Sequence, residues 1–262
     1  MPKKDLSDKF ANKKIGLALG GGAARGAAHI GVLKAFEEYN LKFDFISGTS
    51  IGSVIGACMA AGLSWQEMKE VAYNLELPDI LKWKKWDIGY DPAAIGEFLD
   101  NLIGKKDFNE LDLPFAAVAT DVKHAKERVF KHGSIQKAIQ ASCALPGLFV
   151  PIKENGTVLV DGGVVNNIPS NVVKDMGAEI IFAVDLNGEL PEMELEGDLI
   201  ETLYAVFIIM ARNNSQIGYH NADFVIAPKL EKYPYYKINK ADEMFELGYK
   251  AAKEKIEQIL KK

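Results

Sequence analysis

Cysteine and long apolar runs are scarce in this chain of 262 residues, and each scarcity excludes a class of protein. Cys58 and Cys143 are the only cysteines, and they match neither a disulfide framework nor a zinc site, so we expect a reducing compartment. The longest apolar run, residues 203–211, has nine residues, whereas a membrane-spanning helix needs about 20. The charged N-terminal sequence MPKKDLSDKF lacks the apolar core of a signal peptide. We therefore expect a cytoplasmic protein whose contact with membranes is at most peripheral.

The charge of the chain excludes a further class of partner. Its 31 lysine and arginine residues are outnumbered by 36 aspartate and glutamate residues, so the formal net charge is −5, and no basic block is present. Nucleic acids are bound by clustered basic residues, so we do not expect nucleic acid as a partner. No internal repeat or flexible linker divides the sequence, and we predict a single domain over residues 1–262.

Short apolar runs alternate with segments of helical periodicity. The predicted strands are bounded by turn residues and lie at 15–19, 43–46, 114–120, 157–160, 179–184 and 223–227. Helices are predicted over 25–39, from a capping box at Ser64 and Glu67 to Tyr73, from Asp91-Pro92 at its N-terminus to Leu102, and from about Ala241 to the C-terminus. This alternation predicts an α/β fold with a mostly parallel central sheet and helices on both faces.

Two further segments carry large apolar side chains outside this pattern. The run from Thr202 to Met210 is apolar nearly all round, which predicts a buried helix, with an acyl pocket or a subunit interface as more specific alternatives. Between two predicted helices, Trp83 and Trp86 are interleaved with lysines. That pattern fits a membrane interface, and it also fits a solvated segment whose tryptophans fold back onto the core.

The most informative segment is Gly48-Thr49-Ser50-Ile51-Gly52, which follows an apolar strand and leads directly into a helical pattern. This is the G-x-S-x-G nucleophile elbow in its required strand–turn–helix context. Glycines on both sides allow a turn sharp enough to lift the Ser50 hydroxyl group above the sheet. The alternative is a Gly/Ser-rich turn that only caps a helix. We predict that Ser50 is a nucleophile.

A second glycine-rich turn, at Gly20 to Gly22, also follows a strand. Interpreted as a dinucleotide fingerprint, it has Arg25 where the third glycine is needed, so that interpretation fails. The backbone amides of Gly21, Gly22 and Ala23 can instead form a concave nest that binds an oxyanion. Arg25 itself has three interpretations: it holds the loop, meets an anionic head group, or makes a surface salt bridge.

A nucleophilic serine needs a base, and the sequence offers two. Of the four histidines, only His220 fits the Ser…Asp…His order of α/β-hydrolases. The other candidate is Asp161, which follows an apolar strand and precedes two glycines. An acid at the carboxyl end of a sheet strand projects into the crevice where such folds bind ligands.

Taken together, five motifs resemble those of the patatin-like phospholipases, in particular the short bacterial members. They are Gly20-Gly21-Gly22-Ala23-Ala24-Arg25-Gly26, His29-Ile30-Gly31-Val32-Leu33, Gly48-Thr49-Ser50-Ile51-Gly52, Ala144-Leu145-Pro146-Gly147 and Asp161-Gly162-Gly163. The resemblance covers residues 14 to about 190 and leaves a C-terminal helical extension over about 191–262. It implies a three-layer α/β sandwich that hydrolyses carboxylic esters or phospholipids without metal or other cofactor.

The resemblance also implies roles for single residues. Ser50 is the nucleophile and Asp161 the general base of a dyad without histidine, and the amides of Gly21, Gly22 and Ala23 form the oxyanion hole. Ala23 departs from the plant-type motif, which has glycine there. A triad with His220 is the alternative within enzymes. A regulatory member of the fold without turnover is the alternative outside them, and the intact Ser50, Asp161 and glycine-rich loop argue against it.

Overall fold

A computed structural model describes residue 6 and residues 8–76, 81–82, 89–189, 198–235 and 238–261. One sheet holds the strands β1 (Ile15–Leu19), β2 (Phe45–Thr49), β3 (Phe115–Asp121), β4 (Lys126–Phe130), β5 (Ile152–Glu154), β6 (Thr157–Asp161), β7 (Ile180–Val184) and β8 (Phe224–Ile226). Strands β1, β2, β3, β7 and β8 run parallel, whereas β4, β5 and β6 pair antiparallel. The central strands β1 and β3 are buried along their whole length, as expected of strands covered on both faces.

The pairing of β3 brings two distant loops together. Because β4 pairs along one edge of β3, β2 and β6 must share its other edge. Strand β2 ends at Thr49 opposite Val118, and β6, running the other way, ends at Asp161 opposite Ala119. The C-terminal ends of β2 and β6 therefore face each other along β3, one register position apart.

Helices cover both faces of this sheet. Their bounds are α1 (Ala27–Glu38), α2 (Ile51–Ala60), α3 (Trp65–Asn74), α4 (Ala93–Ile103), α5 (Ile135–Ser142), α6 (Ser170–Asp175), α7 (Leu199–Asn221) and α8 (Ala241–Leu260). The C-terminal helix α8 packs along α1, with Phe245 and Phe36 buried in the largest apolar cluster. The predicted α/β fold class is confirmed, and the extension after residue 190 adds β8 to the same sheet.

The predicted N-terminus is confirmed for α3 and is one residue too early for α4. The capping box of α3 is present: Glu67 N–H donates to Ser64 Oγ at 3.3 Å, and Ser64 N–H donates to the Glu67 carboxylate at 2.8 Å. At α4, Pro92 occupies the cap position and not the predicted first helical position. The Asp91 carboxylate accepts a hydrogen bond from Ala93 N–H at 3.0 Å, so the helix begins one residue later than predicted.

Helix α7 is less buried than predicted. The run from Thr202 to Met210 is helical, but Val206 and Ile209 keep 47% and 46% of their surface exposed. Only the face that carries Ala205, Phe207 and Ile208 is buried. The prediction of a buried helix was wrong for the opposite face, because α7 packs against the rest of the fold along one side only.

Two findings bear on the predicted contact with membranes. None of the described helices combines the length and the apolar character needed to cross a membrane. The interpretation of Trp83 and Trp86 as a membrane-interface pair concerns residues outside the described ranges.

Candidate active site

Ser50 stands on a strained turn between β2 and α2. Its backbone has φ 53° and ψ −129°, in a region that residues other than glycine rarely adopt. A Cβ atom at Gly48 would lie 2.3 Å from the Gly52 carbonyl oxygen, and one at Gly52 would lie 2.2 Å from the Leu19 carbonyl oxygen. A strained serine between two positions without room for a side chain has the geometry of a nucleophile elbow.

Ser142, the last residue of α5, anchors this elbow. Its Oγ atom accepts a hydrogen bond from Ser50 N–H at 2.9 Å and donates one to the Val118 carbonyl oxygen at 2.6 Å. Because Ser142 is fully buried, both bonds are shielded from water and hold the backbone of Ser50 against β3. No sequence pattern predicted this role, although Ser142 lies two residues before the Ala144–Gly147 motif.

Asp161 meets the elbow from the opposite direction, at the end of β6. Its side chain is fully buried, and Oδ1 accepts a hydrogen bond from Gly163 N–H at 2.8 Å. Oδ2 is buried and makes no hydrogen bond of ordinary length and angle to any residue that the structure describes. Burial raises the pKa of Asp161 to about 7, although the nearby Ser50 hydroxyl group and the Gly163 amide both favour the charged form. The carboxyl group beside Ser50 thus has one oxygen atom free and a basicity suited to accepting a proton near neutral pH.

This raised pKa predicts the pH dependence of any reaction in which Asp161 acts as a base. Only the ionised carboxylate accepts a proton, so kcat/KM for a soluble ester should be constant above about pH 7 and fall about tenfold per pH unit below it. An ordinary aspartate would keep activity level down to about pH 4. Initial rates between pH 5 and 9, on protein shown to stay folded over that range, measure this profile. A level profile from pH 5 to 9 would contradict the role of Asp161.

The glycine-rich loop lies directly beside the elbow, and its amides are not equivalent. A Cβ atom at Gly21 would lie 3.2 Å from Ser50 Cβ. The Gly21 N–H already donates to the Asn167 carbonyl oxygen at 3.1 Å, so it is not free for another acceptor. The amides of Gly22 and Ala23 have no acceptor within the described part of the chain. Ala23 has φ 48°, the left-handed conformation that its methyl group disfavours and that glycine in the plant-type motif adopts freely.

Arg25 holds the loop from behind. Its side chain is fully buried; Nε donates to the Tyr233 carbonyl oxygen and a terminal nitrogen donates to the Leu186 carbonyl oxygen, each at 2.9 Å. The guanidinium group stacks on the Tyr235 ring, 3.8 Å from its centre. Neither a surface salt bridge nor contact with a head group fits this placement, because Arg25 reaches neither solvent nor the cavity described below.

His29, near the glycine-rich loop, and His220, the predicted triad histidine, have different environments. His29 is fully buried on α1 and donates from Nε2 to the Gly20 carbonyl oxygen at 2.8 Å, and burial lowers its pKa to about 4. It is therefore a neutral support of the glycine-rich loop. His220 is exposed on the last turn of α7 and is not among the residues that line the cavity around Ser50.

The two thiol groups near the site are not activated as nucleophiles. Cys143 borders the same cavity, and burial together with the charge of Asp161 raises the pKa of its thiol. Burial raises the pKa of Cys58 to about 12. Both groups are neutral thiols at physiological pH, and thiols are much weaker nucleophiles than thiolates.

An apolar cavity of about 410 Å³ extends from Ser50 along α2. From Ser50 it passes Val54 and Cys58, which lie on successive turns of α2. Its walls are aliphatic and aromatic side chains from four helices, among them Ile30, Val54, Ile55, Met68, Val71, Ile95, Phe98 and Leu102. Among the described residues, the side chains other than Ser50 that bring oxygen to the lining are those of Glu201, Tyr204 and Tyr235. The cavity is shaped to bury an apolar chain whose one end lies at Ser50.

Helix α7 covers the site. A Cβ atom at Gly163 would lie 2.9 Å from the Phe207 ring, so this ring packs next to Asp161. The Asn214 side-chain amide donates to the backbone carbonyl oxygen atoms of Gly163 and Val164. The Ser215 hydroxyl group accepts a hydrogen bond from the Asn167 side-chain amide at 3.2 Å. None of these contacts was predicted from the sequence, because they join segments about 50 residues apart.

The family follows from this fold and from comparison with known proteins. The family model described as patatin-like phospholipase matches residues 17–173, which include the glycine-rich loop, the elbow and Asp161. The chain belongs to the patatin-like phospholipase family. It is 36% identical over 194 residues to human patatin-like phospholipase domain-containing protein 6, covering 70% of this chain and 14% of that protein. It is 28% identical over 287 residues to lysophospholipase nte1 of Aspergillus fumigatus, covering 97% of this chain and 19% of that protein.

Solved structures support the same fold. The crystal structure of VipD from Legionella pneumophila matches with a TM-score of 0.65 at 14% identity, covering 95% of this chain and 67% of that one. The type III effector protein ExoU matches with a TM-score of 0.56 at 14% identity, covering 95% and 54%. The family and the names of the relatives support a lipid hydrolase, and the chain spans less than a fifth of the length of the two relatives compared above.

Proposed function

We propose that this protein is a serine acyl hydrolase of the phospholipase A or lysophospholipase type, with Ser50 as nucleophile and Asp161 as general base. One observation carries the proposal: the free, buried oxygen atom of Asp161 lies beside a strained serine at the head of an apolar cavity. The convergence of β2 and β6 on one edge of β3 supports the pairing, because it brings the two strand ends to adjacent register positions.

The proposed reaction has two halves. Asp161 accepts the hydroxyl proton as Ser50 Oγ attacks the ester carbonyl carbon, and it returns that proton to the leaving alcohol. An acyl group is then bonded to Ser50 Oγ. Asp161 next accepts a proton from water, the resulting hydroxide attacks the acyl carbon, and the proton returns to Ser50 as the fatty acid leaves. The reaction consumes one water and needs no cofactor.

Backbone amides stabilise the negative charge that develops on the ester oxygen. We propose Gly22 and Ala23 as the oxyanion donors, because their N–H groups have no acceptor in the described structure. Gly21, the third predicted donor, would have to release the Asn167 carbonyl oxygen before it served. The N-terminus of α2, which begins at Ile51, adds its positive dipole end next to the reacting serine.

The cavity supports a substrate with one long acyl chain. Eight residues of helix separate Ser50 from Cys58, a distance of about 12 Å along the axis. An extended chain advances about 1.2 Å per bond, so this stretch accommodates about ten carbon atoms. A single fatty acyl ester, such as a lysophospholipid, fits such a cavity, and the fungal relative is named a lysophospholipase. Because such lipids reside in membranes or micelles, the proposal includes peripheral contact with a lipid surface.

A panel of esters tests this proposal. We expect hydrolysis of p-nitrophenyl esters and lysophosphatidylcholines, with kcat/KM rising with acyl chain length. Cys58→Phe should block the cavity about 12 Å from Ser50 and so exclude the end of a chain longer than about ten carbons. A palmitoyl chain has about six carbon atoms beyond this point, and excluding them at about 0.8 kcal/mol each corresponds to about a 3,000-fold lower kcat/KM for palmitoyl esters.

Short esters and a smaller substitution provide the controls. Butyryl esters, which do not reach Cys58, should be cleaved by Cys58→Phe at close to the wild-type rate. Cys58→Ala should keep the wild-type preference for chain length. Equal losses on butyryl and palmitoyl esters in Cys58→Phe would mean that the acyl chain does not follow α2, and absence of hydrolysis across the whole panel would refute the proposed function.

The predicted alternatives have less structural support. A triad needs His220 next to Asp161 or Ser50, and His220 is exposed outside the cavity. A member of the fold without turnover would not need a buried carboxylate with a free oxygen atom beside Ser50, which costs stability when it is ionised.

A further inference from the structure

Helix α7 presents an apolar surface to solvent on the side opposite to the site it covers. Leu199 is 72% exposed, and the other described large apolar side chains of this helix with substantial exposure are Leu203, Val206, Ile209, Met210 and Ile217. At 100° per residue these six positions lie within a sector of about 120°, which we call the apolar stripe. Thr202, Asn213 and His220 also fall in this sector and Asn221 lies at its edge, whereas Glu201 and Arg212 lie outside it. No lysine, arginine, aspartate or glutamate of α7 therefore lies in this sector.

The N-terminal half of the stripe is continuous with the cavity. Glu201 and Tyr204, on the same turns of α7, line the cavity, and Glu201 is also exposed, so the cavity reaches solvent beside this part of the helix. A Cβ atom at Gly147 would lie 3.3 Å from Leu203 Cβ, and Gly147 lines the cavity as well. Five of the six stripe residues lie between 199 and 210, a stretch of about 16 Å along the helix axis.

We infer that the apolar stripe of α7 is the surface by which this protein docks on a lipid layer, so that a lipid passes from the layer into the cavity without crossing water. This inference rests on the proposed function, because it assigns the membrane contact of the same site. An apolar helix face binds in the boundary between head groups and acyl chains, which leaves the cavity opening at the lipid surface. A second copy of the chain seated on the stripe would instead cover that opening.

The absence of charge on the stripe determines the kind of lipid surface that it suits. Binding driven by apolar side chains does not need anionic head groups, and a chain with a net charge of −5 is not attracted to them. We therefore expect binding to zwitterionic phosphatidylcholine vesicles that changes little between 0.1 and 0.5 M salt and that is at least as strong as binding to vesicles that contain anionic lipid.

Vesicle binding by a protein that cannot turn over its substrate tests the inference. In a Ser50→Ala background, the protein should sediment with phosphatidylcholine vesicles. Adding Leu199→Gln and Val206→Gln should lower the partition coefficient for these vesicles about tenfold. Neither side chain lines the cavity. The matched control is Val122→Gln, which replaces a 52% exposed side chain on the turn between β3 and β4 and should change binding less than about twofold.

The outcomes separate this inference from the proposed function. With Ser50 intact, Leu199→Gln with Val206→Gln should cleave a soluble butyryl ester at the wild-type rate and lose activity only on vesicle-borne lipid. No vesicle binding by the Ser50→Ala protein, or binding unaffected by the double substitution, overturns the stripe assignment while ester hydrolysis still supports the enzyme. A wild-type dimer that the double substitution converts to a monomer, measured by analytical ultracentrifugation, assigns the stripe to a second copy and also overturns it.

Discussion

Replacing Asp161 with asparagine is expected to lower kcat/KM for a soluble ester by about 10⁴-fold. Asparagine keeps the size of the side chain and can still accept the hydrogen bond from Gly163 N–H, but its amide does not take up the Ser50 proton. The fold should survive, because the substitution removes a buried carboxyl group whose ionised form is costly. The measurement is kcat/KM at pH 8, with the melting temperature recorded on the same preparation.

His220→Ala is the control that separates a dyad from a triad. His220 is exposed and lies outside the cavity, so this variant should keep at least about half of the wild-type activity, as expected of a surface substitution. If His220→Ala lost as much activity as Asp161→Asn while both proteins stayed folded, the triad would be correct. Asp161→Asn with near-normal activity would exclude the carboxylate as the base.

Ser50→Ala is expected to reduce ester hydrolysis by about 10⁴- to 10⁶-fold and to abolish labelling by a fluorophosphonate probe. Alanine retains the Cβ atom and the backbone N–H that donates to Ser142, so the elbow and its strain are preserved. Only the attacking oxygen atom is lost. Residual activity would measure what the oxyanion donors and substrate binding contribute by themselves.

Ser170 provides a matched control for this experiment. Its hydroxyl group is buried on α6 and has no hydrogen-bond partner among the described residues, so Ser170→Ala removes a buried serine oxygen atom without breaking a described contact. That variant should be labelled by the probe and cleave esters like the wild type. Labelling of Ser50→Ala at the wild-type level would show that another residue is the nucleophile.

Much of the local structure was predictable because it depends on neighbours in the sequence. The elbow needs only an apolar strand, two glycines and a helix start, and the capping box of α3 needs only Ser64 and Glu67 three residues apart. Strands β4 and β5 were missed because most of their residues are charged or only partly buried, so they lack the apolar alternation that marks a strand.

Side-chain environments were less predictable because they depend on packing between distant segments. The position of Arg25 in a first helical turn is typical of a surface residue. Its side chain is nevertheless buried, and it donates hydrogen bonds to the carbonyl groups of Leu186 and Tyr233. Gly21 belongs to the predicted oxyanion nest, yet Asn167, almost 150 residues away, takes its N–H. The apolar run of α7 was predicted to be buried, and whether a helix is covered on one face or on all faces is decided by its neighbours.

The sequence by itself determined the α/β class, the family motifs and the serine at the elbow, because turns and helix starts are encoded over a few adjacent residues. Tertiary structure decided which acidic or basic group lies beside that serine: β3 offers one edge to both β2 and β6, so Asp161 is brought to Ser50 while His220 is left in solvent. It also decided the pKa of Asp161, because desolvation depends on every segment that packs around the carboxyl group.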